Sequence, residues 1–418
     1  MVVEYKGMGE WDFRDADTKE FTHCFHIYPA MMIPQIAREL ISLYGKKGGL
    51  LFDPYCGTGT SLVEARVAGM DSAGTDLNPT ARLIAFSKTR DYDLEGVGVD
   101  VESFLEKLEG ILQPIEGYSE FVEPKFVTFE RLEDWFPVKS IGEICACMDS
   151  IESVDDEFSQ LFLKIALSEC LRLVSYQRNG EFKLYRIPEP KREEFYVPLY
   201  PLLKDRIRRN LDGCAAFSDV TSPSTSTKIH EFNTVDDDGL VDLGRKPDIV
   251  VTSPPYGDSG TTVAYAQFSW LTNIWLGLDS RSGALDRELM GGRKEAVTEL
   301  GFKPMDEAIG TVADASPKRG GEVMHFYVEY LQSIGNVASI IAEGGHACYV
   351  VGNRTVKGVQ LPTDRFTAWA FERQGFAHIA TYIRNIPNKR MPSRNSPSNI
   401  SGETSPTMTN EFIVVCKK

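Results

Sequence analysis

Nine residues, FDPYCGTGT from Phe52 to Thr60, narrow the possible folds more than anything else in this chain of 418 residues. They overlap the run GLLFDPY, which reads as a short parallel strand, covered on both faces, ending in a turn. They lead into TSLVEARVAG, Thr60 to Gly69, a helical pattern with Thr60 or Ser61 as cap and Gly69 as terminator. A strand therefore delivers an acid, Asp53, into a Gly-x-Gly turn (Gly57, Gly59) that opens a helix. Glycine lets the backbone approach a ligand with no Cβ in the way. The helix N-terminus then offers unsatisfied N–H groups to a carboxylate or phosphate. The spacing is not G-x-G-x-x-G, because Thr60 and Ser61 follow, and this speaks against a nucleotide-dependent oxidoreductase. SAGTD, Ser72 to Asp76, reads as a second strand, and Asn78 is placed to cap a helix from Pro79 to Lys88. An acid at the tip of a second strand accepts hydrogen bonds from ribose hydroxyls. The glycine turn and Asp76 together point to an adenosine-type cofactor.

The strand–helix alternation stops near residue 90 and resumes near 246. Between them, 97–113 and 157–176 carry apolar residues at helical spacing. A stretch rich in Pro and aromatic residues follows, and SDVTSPSTSTK reads as a polar surface loop. Strand signals return in DIVVT (Asp248 to Thr252), HACYVVGN, FAHIATYIRN and EFIVVCKK, with helical segments around 263–278 and 322–343. Such βα units split by an insert imply one parallel-sheet domain interrupted by a second module. The expected division is 1–95, 96–245 and 246–418. A hydrophobic fraction of 42% excludes a chain disordered along its length. No signal peptide or transmembrane run is expected. Several of the eight Cys lie in apolar strand-like runs, as reduced thiols of a cytoplasmic protein do. Cys145 and Cys147 form C-x-C without a matching pair, so no metal site is expected.

The second informative segment is DIVVTSPPYGDS, Asp248 to Ser259. Pro254 and Pro255 remove two N–H donors and fix φ, so the loop is stiff and shows carbonyls. Ser253 adds a hydroxyl and Tyr256 an aromatic face. That set suits a planar ring bearing an exocyclic amine, held by hydrogen bonds to Ser253 and a proline-flanked carbonyl and stacked on Tyr256. In isolation S-P-P-Y is also an ordinary rigid surface turn. Its place after a buried strand, in the same sheet as the cofactor turn, favours the binding reading.

These two loops resemble those of the amino-group DNA methyltransferases that use S-adenosylmethionine. Their cofactor loop looks like DPYCGTGT. Their catalytic loop is S-P-P-Y in most cytosine-N4 enzymes and D-P-P-Y or N-P-P-Y in most adenine-N6 enzymes. HCFHIYPAMMIP (His23 to Pro34), PPYGDSGTTVAYAQFSWLTNIWLGL and IRNIPNKRMPSRNSPSN (Ile383 to Asn399) are similar to segments of a branch among restriction–modification methylases. The resemblance implies a class I, Rossmann-like α/β fold: a mixed, mostly parallel seven-stranded sheet with helices on both faces, plus a largely helical insert. It implies that Asp53, Cys56, Gly57, Gly59 and Thr60 line the methionine part of the cofactor. Asp76 would bind the ribose, Asn78 the adenosine region, and Tyr28 and Pro29 would close the pocket. Ser253, Pro254, Pro255 and Tyr256 would hold the target base. The expected reaction is direct methyl transfer to the amine of a cytosine flipped from duplex DNA, leaving S-adenosylhomocysteine, with no Cys nucleophile and no metal. The motif order makes the insert the candidate sequence reader. A cognate restriction endonuclease is an expected partner. Adenine-N6 and an RNA base amine remain open, since P-P-Y loops serve these too. A non-catalytic, cofactor-sensing nucleic-acid-binding protein is disfavoured by the intact Ser253 and Tyr256.

The net charge of −15 argues against indiscriminate nucleic-acid binding. Local basic runs are therefore needed. One is Lys183, Arg186, Lys191, Arg192, Lys204, Arg206, Arg208 and Arg209. The other, 373–402, holds no acid and includes Arg373, Arg384, Lys389, Arg390 and Arg394. Lys389, Arg390 and Arg394 are the expected phosphate contacts beside the extruded base.

Overall fold

A sheet strand buried on both faces shows a continuous apolar run, and four such runs form the middle of this protein. The computed structural model of the protein describes residues 5–6, 9–112, 131–180, 183–236, 241–258, 262–278, 282–291, 295–386, 394–395, 405–406 and 408–418. Its strands are β1 (Tyr5–Lys6), β2 (Leu50–Asp53), β3 (Asp71–Thr75), β4 (Thr227–His230), β5 (Ile249–Thr252), β6 (His346–Val351), β7 (Thr355–Val356), β8 (Val359–Gln360), β9 (Ala377–Asn385), β10 (Arg394–Asn395), β11 (Ser405–Pro406) and β12 (Asn410–Lys417). Eight of them make one sheet in the order β1-β9-β12-β6-β5-β2-β3-β4. β12 runs antiparallel to β6 and β9, and the other pairings are parallel. This is the class I methyltransferase order. The seven expected strands are present, and the two-residue β1 adds an eighth at the β9 edge. Two short hairpins, β7–β8 and β10–β11, lie outside the sheet.

The sheet faces divide by the period-two alternation of strands. Leu50, Phe52, Val250, Tyr349 and Val414 point to one side, where they meet α10 (Lys303–Ala315), α11 (Pro317–Ile340) and α12 (Thr363–Glu372). Leu51, Ile249, Val251, Val350 and Val415 point to the other, against α1 (Pro34–Tyr44) and α2 (Thr60–Val67). A third core holds α3 (Pro79–Lys88), α4 (Leu94–Leu112), α5 (Val138–Glu152), α6 (Glu157–Leu173), α7 (Leu199–Val220) and α8 (Tyr265–Trp275). α9 (Ser282–Glu288) follows α8.

That third core revises the expected insert of 96–245. Its apolar cluster includes Ala81 and Ile84 of α3 and Phe268 and Trp275 of α8, so the helical block shares its core with both flanking segments. The chain is also back in the sheet by 227, because β4 pairs parallel with β3. The segment read as a loop, SDVTSPSTSTK, therefore begins in α7 and ends in β4. α7 is hidden in sequence by Pro198 and Pro201. Both sit at the helix start, where a missing N–H costs nothing. Among the described residues, no helix is long and apolar enough to cross a membrane.

Candidate active site

The strand order reverses between β2 and β5: β3 and β4 lie on one side, β5 and β6 on the other. Open α/β sheets bind ligands at such a switch point, beyond the carboxyl ends of the strands. A cleft opens there. Tyr28, Pro29, Asp53, Cys56, Gly57, Thr60, Asp76 and Asn78 line it, together with Ser253 and Pro255. Ten of the thirteen expected cofactor and base residues thus share one cavity. Gly59, Pro254 and Tyr256 are not on its wall. Gly59 has φ +78°, and a Cβ there would stand 3.0 Å from Ala85 Cβ, so this glycine sets the fit of the turn against α3.

At one end the polar groups are fixed by neighbours. Asp53 is 3% exposed. It accepts hydrogen bonds from Ser61 Oγ, from Thr252 Oγ1 at 2.6 Å and from the Tyr55 N–H at 3.0 Å. Burial nevertheless pushes its carboxyl up to about 6. Ser61 is therefore not the cap of α2; Gly59 occupies that position in a left-handed conformation, with no side-chain cap. Asp76 accepts from the Gly57 N–H at 3.0 Å and the Asn78 N–H at 2.7 Å, and burial raises its pKa too. Asn78 caps α3 as expected, accepting from the Thr80 N–H at 3.1 Å. Its amide also donates to Tyr28 Oη at 2.8 Å and Ser269 Oγ at 2.9 Å. Asn78 thus builds the wall, with its polar atoms spent on protein partners. Tyr28 stacks on Tyr265, with ring centroids 6.0 Å apart. The Cys56 thiol is pushed well up by burial and by Asp76 and Asp53 beside it, so it is no thiolate.

The other end is held from far along the chain. Ser253 Oγ donates to Tyr256 Oη at 3.3 Å, and Tyr256 Oη donates to Glu411 Oε1 at 3.0 Å. Glu411 pairs with Arg384, whose Nε donates to the Trp11 carbonyl at 3.1 Å. Just beyond Tyr256, a Cβ on Gly257 would fall 1.6 Å from Arg354 Nη1. Only glycine lets that guanidinium pack on the loop. Arg354 and Arg319 both reach Asp258 Oδ2, at 3.2 and 3.5 Å.

Several lining residues carry no sequence signal of their own. Phe232, Asn233 and Thr234 enter the cleft from just past β4, a strand not expected there. Val263, Tyr265, Leu289 and Met290 come from the segment after the S-P-P-Y loop. Met31 and Met32 lie in the quoted HCFHIYPAMMIP stretch and complete the wall beside Pro29.

The basic runs are corrected in part. Arg206 and Arg209 turn inward to Glu169, which is 6% exposed, so they neutralise a buried carboxylate rather than face solvent. Arg384 is 6% exposed and paired with Glu411. Lys389 and Arg390 lie outside the described residues, and Arg394 falls on β10. The cysteines are thiols rather than disulfides, seven of the eight buried. Among the described residues, no cluster of three or more His, Cys, Asp or Glu is arranged to hold a metal ion.

Comparison with known proteins adds the family. Residues 21–103 match the RMKL-like methyltransferase domain. The type II methyltransferase M.MvaI of Kocuria varians is 35% identical over 428 aligned residues, spanning 97% of this chain and 93% of that protein. The type II methyltransferase M.MjaII of Methanocaldococcus jannaschii is 28% identical over 119 residues, 27% of this chain and 22% of that one. A tRNA (guanine(10)-N2)-dimethyltransferase of Methanothermobacter thermautotrophicus is 42% identical over 52 residues, 12% of this chain and 16% of its own. A match of the first kind runs through both ends of the cleft and the helical block between them, and on it this chain belongs to the type II methyltransferases, the methylases of restriction–modification systems.

Proposed function

We propose that the protein transfers a methyl group from S-adenosylmethionine to the N4 amine of a cytosine flipped out of duplex DNA, at a specific site. The observation that carries this reading is that one cleft is lined both by the Asp53–Thr60 turn and Asp76 and by Ser253 and Pro255. A donor and an acceptor placed at its two ends would meet inside it.

The donor set suits the cofactor. Asp76 presents a carboxylate to a ribose diol, and the α2 N-terminus suits a carboxylate group. Phe232, Tyr265 and the Met31–Met32 pair offer flat and polarizable walls to an adenine ring. When bound, S-adenosylmethionine supplies an electrophilic methyl on a sulfonium. The chain's own residues position and exclude water. Ser253 Oγ accepts from the amine, the stiff Pro254–Pro255 carbonyls hold its second proton, and Tyr256 stacks on the ring. Nothing covalent is asked of Cys56. A base in a duplex cannot reach such a cleft, so it must be swung out.

Within the expected insert 96–245, the helical block α4–α7 supplies the sequence reading, and Lys389, Arg390 and Arg394 grip phosphates beside the extruded base. A restriction endonuclease with the same site is the matching partner. The test is to incubate the protein with labelled cofactor and separate pools of DNA and RNA, then identify the methylated nucleoside by mass spectrometry. N4-methylcytosine in DNA supports the reading. N6-methyladenine or a methylated RNA base replaces the substrate and keeps the chemistry.

A further inference from the structure

Methyl transfer to a neutral amine leaves one proton too many on the nitrogen, and serine is too weak a base to keep it. The S-P-P-Y loop therefore needs an acceptor beyond Ser253. The hydrogen bonds name one. Glu411 is on β12, the antiparallel strand near the sheet edge, 155 residues from Tyr256 in sequence. A carboxylate accepts and does not donate, so the single Tyr256 hydroxyl proton points at Glu411 Oε1, 3.0 Å away. With that proton spent, Ser253 must be the donor in its 3.3 Å contact with Tyr256 Oη. The Ser253 lone pairs then face away from Tyr256, and Ser253 lines the cleft. The direction of the whole chain follows from the acid at its end.

We infer that Ser253, Tyr256 and Glu411 form a proton relay that carries the amine's surplus proton out of the cleft to Glu411. This rests on the amine-methylation reading above. In the step, the amine nitrogen forms a bond to the methyl carbon as the sulfur–methyl bond breaks, and that bond's electron pair stays on sulfur. The nitrogen then gives one proton to Ser253 Oγ, Ser253 gives its own to Tyr256 Oη, and Tyr256 gives its own to Glu411. The base ends neutral and methylated, both hydroxyls are restored, and Glu411 holds the proton until solvent takes it. In the relay Ser253 takes the proton from the substrate, and Tyr256 and Glu411 act through Ser253.

The surroundings fit a terminal acceptor. The Glu411 side chain is 16% exposed, close enough to solvent to release a proton. Arg384 on β9 is paired with its second oxygen, and the Arg384 Nε is anchored on the Trp11 carbonyl. Asp12, the nearby acid on the N-terminal segment, is occupied by the Asn385 N–H at 2.8 Å. Tyr265 of α8 also lies near Tyr256, and burial holds its phenol protonated; Asp258 and Arg354, beyond Gly257, pair with each other. Burial, with Glu411 beside it, likewise keeps Tyr256 a phenol at neutral pH. Of the carboxylates lining the cleft, Asp53 has both oxygens engaged by Ser61, Thr252 and the Tyr55 N–H, and Asp76 has both engaged by the Gly57 and Asn78 N–H groups.

Single-turnover methylation of long, unmodified PCR duplex DNA of mixed sequence tests the relay, with rates taken from about pH 6.5 to about 8.5. Glu411→Gln keeps an oxygen for Tyr256 but cannot take a proton. Tyr256→Phe keeps the ring and the Glu411–Arg384 pair but cuts the chain. Both variants are expected to bind S-adenosylmethionine within about threefold of the parent protein. Both are expected to react about 10²-fold more slowly or worse. Their rates should climb with pH and buffer concentration, because the proton now leaves to solvent, while the parent rate stays level. A rate unchanged in both variants overturns the relay. So does a loss of equal size at every pH, which is what a merely structural contact gives. If the parent protein itself methylates no base amine, the underlying reading fails instead, and the two failures are distinct.

Discussion

The two ends of the cleft are built in opposite ways. At the cofactor end, the turn residues Asp53, Gly57, Asp76 and Asn78 are tied to one another and to Tyr55, Ser61 and Thr80 by bonds spanning 2 to 19 residues, with Thr252, Tyr28 and Ser269 added from farther along the chain. At the acceptor end, Tyr256 leans on Glu411, 155 residues on, and Asp258 on Arg354, 96 residues on. A turn can hold a cofactor by its own geometry. The proposed base-binding end has no such closed turn, and it borrows rigidity from the strands and helices around it. The two ends should therefore respond differently to substitution.

The largest effect is expected at the acceptor end. Ser253→Ala should lower turnover by about 10²–10⁴-fold, with cofactor affinity within a few-fold, read by single-turnover rates and calorimetry. Normal turnover in that variant would sink the assignment. The cofactor end should give the reverse pattern. Asp76→Ala removes a charged hydrogen-bonding group worth ~1.5–3 kcal/mol, so cofactor binding should weaken by about 10–100-fold. Once cofactor is saturating, the rate should recover most of its parent value. Equal loss of kcat and affinity in both variants would erase the distinction between the ends.

A smaller effect concerns phosphate grip. Lys389→Ala/Arg390→Ala should reduce the slope of log affinity for DNA against log salt by roughly one per lost contact. An unchanged slope refutes phosphate contact by these residues. The subtlest effect separates Asp53 from its surroundings by pH. Its carboxyl titrates at about 6 in the folded protein against 3.8 for the ordinary group. Between those values the folded state holds more proton than the unfolded one, so stability declines as pH rises from about 4 to about 6 and is level above. Asp53→Asn should flatten that decline in denaturant titrations run across the window. A decline of the same steepness in both proteins would mean that another group is responsible.

Much of the fold was legible because its signals are local. The buried run ending at Asp53, the Gly-x-Gly turn and the Asn78–Pro79 cap each report a backbone preference that needs no distant partner. The helical periodicity at 97–113 and 157–176 reappears as α4 and α6. Expectation failed where a local cue was outweighed. Prolines masked α7, since at a helix start they do no harm. A run of Ser and Thr hid β4, which gains its place by pairing with β3 at the sheet edge. Counting Arg206, Arg209 and Arg384 as surface charge also failed, because charge in a sequence carries no mark of burial. Their partners, Glu169 and Glu411, are 27 to 40 residues away.

By itself, then, the sequence determined a strand–turn–helix with an acid at its tip, a second acid-tipped strand, and a stiff S-P-P-Y loop after a buried strand. These follow from turn chemistry, capping and periodicity, which act within a few residues. Only the tertiary structure decided that the two loops share a cleft, that Phe232 walls it, and that Glu411 ends the chain from Ser253. Those facts depend on which strands lie side by side, and a strand order of β12-β6-β5-β2-β3-β4 is set by the packing of two sheet faces at once.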